Sequence, residues 1–99
     1  MGEWGMRINS RRELIRISKK HKIIKTTYFF EEEGGGKWRI IKYKNTLTSV
    51  VTLKLVYGDA VVIKQRTFLD HQTLSMELFF QDLIHLINQK GAPDGPDAP

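Results

Sequence analysis

Met76, Phe79, Phe80, Leu83 and Ile87 recur at spacings of three and four, with Ile84 and Leu86 flanking them. That period is the helical one and gives a broad apolar stripe. Glu77, Gln81, Asp82, His85, Asn88 and Gln89 fall on the opposite side. Asp70, Thr73 or Ser75 can cap the start, and Gly91 followed by Pro93 supplies the stop, so the pattern predicts a helix over about 74–90. Burying five such side chains contributes on the order of 8 to 15 kcal/mol before the entropy of ordering is subtracted. The rest of the chain therefore has to supply a sheet for this stripe to cover. Leu78 falls off the stripe and reads as an exposed leucine.

Upstream, four stretches are rich in Val, Ile, Thr and aromatic residues: 22–30, 37–44, 47–57 and 60–68. Gly58-Asp59 joins the last two as a tight hairpin, since Gly tolerates positive φ. Val51, Leu53, Leu55 and Tyr57 alternate with Thr52 and Lys54, which predicts one dry and one wet face. Glu31-Glu32-Glu33-Gly34-Gly35-Gly36 joins the first pair, and its mutually repelling carboxylates and three glycines predict a mobile, solvated loop. Ser10 to His21 fits two templates. Ser10-Arg11-Arg12-Glu13 matches a capping box, whereas Glu13 to Ser18 can pair as a strand. Leu14, Ile15 and Ile17 form too narrow a stripe for an amphipathic helix, which tilts the reading towards strand.

Consecutive strands with short links favour a meander. The expected fold is α+β: an antiparallel four- to five-stranded meander sheet with one face packed on the C-terminal amphipathic helix. A single domain over 1–90 suits a chain of 99 residues. The tail 91–99, with three prolines, two glycines and two aspartates, is expected to be disordered. No apolar run approaches the roughly 20 residues that cross a bilayer. Met-Gly-Glu-Trp-Gly lacks the apolar core of a signal peptide, so the expected location is cytoplasmic or otherwise intracellular. The absence of cysteine excludes disulfides, thiolate metal sites and thiol nucleophiles.

Charge is the other strong signal. Arg7, Arg11, Arg12, Arg16, Lys19, Lys20, Lys22 and Lys25 stand in the first quarter against Glu3 and Glu13, a local excess of +6 in a chain whose net charge is +5. Such a segment attracts polyanions: nucleic acid, an anionic membrane or an acidic protein surface. Nucleic-acid binders pair cations, which neutralise phosphates, with rings on which unpaired bases stack. Trp38, Arg39, Lys42, Tyr43 and Lys44 share one predicted strand, and Lys25, Tyr28 and Phe29 its neighbour. Alternation puts Arg39 and Tyr43 on one side with Lys37, and Trp38 on the other with Lys42 and Lys44. The competing reading makes Trp38 and Phe29 core and the lysines solubilising gatekeepers.

Other chemistry finds little support. His21, His71 and His85 match no metal-ligand spacing, and Asp70-His71 reads as helix entry before it reads as an acid/base pair. Gly34-Gly35-Gly36 lacks the Gly-Lys-Ser/Thr ending of a phosphate loop, and the carboxylates before it would repel phosphate. No enzyme activity, metal or cofactor is expected.

The order of strands followed by one amphipathic helix, the glycine-containing hairpin leading into Lys37-Trp38-Arg39-Ile40-Ile41, and the passage Thr73 to Leu83 together resemble the repeat of Pur-type and, more distantly, Whirly-type single-strand binders. That resemblance covers 26–89 and implies single-stranded nucleic acid bound on a curved sheet, and a homodimer. The additional strand-like segment and the acidic loop depart from those repeats. The expected function is therefore non-enzymatic binding of single-stranded DNA or RNA. Arg11, Arg12, Arg16, Lys19, Lys20, Lys22 and Lys25 would contact phosphate, and Tyr28, Arg39 and Tyr43 would stack or contact sugar. The alternative is a protein-interaction module, an inhibitor or adaptor docking on an acidic protein partner.

Overall fold

The computed structural model describes residues 7–31, 37–58 and 61–90. Strands β1 (Arg7–Arg16), β2 (Lys22–Glu31), β3 (Trp38–Asn45), β4 (Val50–Tyr57) and β5 (Val61–Leu69) precede one helix, α1 (Thr73–Lys90). Each strand pairs antiparallel with its neighbour in sequence, giving an open five-stranded meander. The α+β architecture expected from the sequence is the observed one, and Ser10 to Arg16 belongs to the sheet. The expected acidic loop, apart from the backbone of Glu31, and the tail 91–99 lie outside the described residues, as do Asp59 and Ala60 of the last hairpin.

Alternation assigns each strand residue to a face. Tyr28 and Phe30 of β2, Trp38 and Ile40 of β3, Val51, Leu53, Leu55 and Tyr57 of β4 and Phe68 of β5 point towards α1, where Phe79, Leu83, Ile84 and Ile87 meet them. Trp38, Ile40, Leu55, Leu83, Ile87 and Val51 are the largest fully buried side chains. Edge-to-face rings tie the two layers and neighbouring strands together: Tyr28 with Phe80 at 5.0 Å and Trp38 with Tyr57 at 4.8 Å. Leu78 is exposed, as its position off the stripe predicts. The helix covers β2 to β5, whereas the described side chains of β1 are exposed.

Most element ends fall within one residue of the sequence reading, and two details differ further. β4 starts at Val50, not at residue 47, because Asn45 closes a turn first. Its Oδ1 accepts hydrogen bonds from the amides of Leu47 (3.0 Å) and Thr48 (3.2 Å), and its carbonyl accepts one from the amide of Ser49 (2.8 Å), whose φ is 62°. Leu47 is thereby turned out to solvent. At the helix start, the Gln72 carbonyl accepts from the Met76 amide (3.0 Å), so Gln72 holds the capping position and not Asp70, Thr73 or Ser75. The Gln72 side chain reaches back, its Oε1 accepting from the Leu69 amide at 2.8 Å. Gly58, at φ 67°, supplies the left-handed residue the hairpin requires.

Candidate nucleic-acid interface

The sheet face turned away from α1 carries Arg11 of β1, Lys25 and Phe29 of β2, Arg39 and Tyr43 of β3, and Lys54 of β4. Phe29 lies across from Arg39, and Tyr43 across from Lys25. Both rings are half-buried. Four residues along the strands separate them, about 13 Å at strand rise, so two bases seated on them would not stack on each other, since stacked bases are about 3.4 Å apart. Between the rings, Thr27 and Ile41 pair across β2 and β3 and are both buried.

Each ring has a cation beside it. The Arg11 guanidinium carbon stands 5.6 Å from the centroid of Phe29; the ammonium nitrogens of Lys25 and Lys54 stand 5.9 and 5.3 Å from that of Tyr43. Glu13 is the carboxylate on this face nearest Lys25, with Oε1 and Nζ 3.8 Å apart, beyond hydrogen-bond distance, and Glu13 exposed to water, so the pairing is weak. Arg39 is steered by its own contact, its Nη2 donating to the Gly58 carbonyl at the end of β4. The result is a basic face with two aromatic platforms and uncharged hydrogen-bonding groups, Asn9, Thr52 and Thr67, around them.

The structure divides the sequence-predicted set between two faces. Arg11, Lys25, Arg39 and Tyr43 share the open face. Arg12, Arg16, Lys22 and Tyr28 stand on the helix side, where Arg12 lies across from Thr26, Arg16 across from Lys22, and Tyr28 packs on Phe80. Lys19 and Lys20 occupy the exposed turn between β1 and β2, a turn held when the amides of Ile17 and Ser18 donate to the His21 carbonyl. Thr46 anchors that turn to the next one: the Lys22 amide donates to its Oγ1 at 3.0 Å, and its own amide donates to the Lys22 carbonyl at 2.9 Å. Phe29 and Lys54 are members that the sequence reading did not assign. Lys54 was legible from its alternation with Leu53 and Leu55; placing Phe29 over Arg39 needed the β2–β3 register.

Among the described residues no group of three His, Asp or Glu side chains could hold a metal ion, and no helix is long and apolar enough to cross a membrane. Comparison with known proteins found no matching family model, no matching curated relative and no matching solved structure.

Proposed function

We propose that this protein binds single-stranded nucleic acid, without catalysis, on the sheet face opposite α1. The observation that carries the reading is the placement of Phe29 and Tyr43, on adjacent inner strands, each with a cation over its ring and both on the face opposite α1. Bases stack on the two rings, which is sequence-tolerant because every base has a π-face. Arg11, Lys25, Arg39 and Lys54 neutralise the backbone, the lysines swinging off Tyr43 as a base replaces them. Duplex is a poorer ligand, because its bases are already stacked and turned inward. The cations at Lys19 and Lys20 extend the attractive field beyond the sheet.

A second reading has its own observation. Both sheet edges expose apolar side chains, Ile8, Leu14 and Ile15 on β1 and Val61, Val62 and Ile63 on β5, which suits strand addition by a protein partner or by a second copy. Fluorescence anisotropy with labelled single-stranded and duplex oligonucleotides at low salt separates the two. Binding of the single strand that falls about 5- to 150-fold per ring in Phe29→Ala and Tyr43→Ala supports the proposal. No binding by the wild-type chain, or binding indifferent to both substitutions, overturns it.

A further inference from the structure

Where the first half of α1 crosses the sheet, a cavity of about 420 Å³ opens between helix and strands. This volume lies within the roughly 300–1,000 Å³ typical of small-molecule sites. Its wall is aromatic and apolar, from Tyr28, Leu53, Met76 and Phe80, and its polar groups are Lys42, Glu77, Thr73 and Gln81. Tyr28 and Phe80 meet edge to face, so the Tyr28 ring is fixed in direction by its neighbour. Lys42 makes no ion pair with a carboxylate among the described residues. It is also not alone: Thr26 separates it from Arg12 in the same cross-strand row, and Lys44 follows two positions along β3 on the same side. No strand residue with a described side chain brings a carboxylate to this side of the sheet.

We propose that this cavity is a second binding site, separate from the open face, for a planar aromatic anion of mononucleotide type. The ring packs against the wall formed by Tyr28, Phe80 and the Met76 thioether, a group that packs well on aromatic edges. The anionic group meets Lys42, with Arg12 and Lys44 raising the local positive potential. Thr73 and Gln81 offer hydrogen bonds to the ring's polar edge, and the Glu77 carboxylate accepts from an exocyclic amine. The aromatic wall and the amine acceptor select a base-like ring over an alkyl chain.

Backbone amide shifts of the full chain, titrated with adenosine monophosphate, adenosine and dodecanoate, test this. The expected result is saturable shifts at Leu53, Met76 and Phe80 with the nucleotide, weaker binding of the uncharged nucleoside, and none of dodecanoate. Lys42→Ala should weaken the nucleotide about 10- to 100-fold, the loss of a hydrogen bond to a charged group. Gln81→Trp, an exposed position at the rim, should block the cavity without touching the core. No saturable shift at millimolar nucleotide, or tighter binding of dodecanoate, overturns the proposal. A Phe29→Ala/Tyr43→Ala double variant keeps nucleotide binding here while losing oligonucleotide binding, so failure of the two sites is distinguishable.

Discussion

The salt dependence of oligonucleotide binding measures how many cations of the open face reach phosphate. Arg11, Lys25, Arg39 and Lys54 are the candidates that share this face. If all four release counterions, log K falls with log[salt] with a slope of about −0.7 per contact on single strands, or about −2.8 in total. Between about 50 and 200 mM salt that is a loss of roughly 50-fold. In the Arg11→Ala/Lys54→Ala double variant two contacts remain, the slope falls to about −1.4 and the same change of salt costs only about 7-fold. Arg12→Ala/Arg16→Ala is the control, because both side chains stand on the helix side of β1. Anisotropy titrations over a series of salt concentrations give the slopes directly. Equal slopes for the two double variants would refute the reasoning, since attraction would then come from the net charge of +5 and not from one face.

Packing and turn chemistry yield further tests by urea unfolding. Leu83, fully buried on the sheet-facing side of α1, should cost about 2–5 kcal/mol when changed to Ala, whereas Leu78→Ala on the exposed side stays within about 0.5 kcal/mol; similar losses would contradict the assigned helix orientation. Asn45→Ala removes two side-chain hydrogen bonds from the β3–β4 turn and should destabilise by about 1–2 kcal/mol. Ser49→Val should cost about 1–2 kcal/mol because a β-branched residue is strained at φ 62°, and an unchanged midpoint would dispute that conformation.

The layers of this fold were legible because each rests on a local period. Met76, Phe79, Leu83 and Ile87 announce a helix face, and Leu53 and Leu55 between Thr52 and Lys54 announce which side of β4 it covers. β1 was ambiguous for a physical reason: its described side chains, Ile8 to Arg16, are all exposed, so neither helical nor strand period was imposed on it by a core. The β3–β4 turn was missed because Leu47 looked like strand material, while the determinant was the Asn45 side chain accepting two amides, a signal carried by one polar residue. The helix-side cavity was illegible, since it joins β2, β3 and β4 to α1 and exists only through their register.

The candidate interface shows why linear charge density misleads in a sheet. Arg11 and Arg12 are adjacent in the sequence, yet one leans towards Phe29 on the open face and the other lies across from Thr26 on the helix side. A run of cations in a strand is thus shared between two surfaces, and what concentrates charge on a face is its repetition across strands at the right parity. Arg11, Lys25 and Lys54 satisfy that condition from three different strands, while Arg12 and Lys42 satisfy it for the opposite side. Two anion-seeking surfaces follow from one cation-rich chain, and they differ in what accompanies the charge. The open face offers two rings spaced for separate bases, suited to a continuous strand; the helix side offers an open cleft with an aromatic wall, suited to one ring. Moving the cations by a single register step would exchange these partners without altering the composition at all.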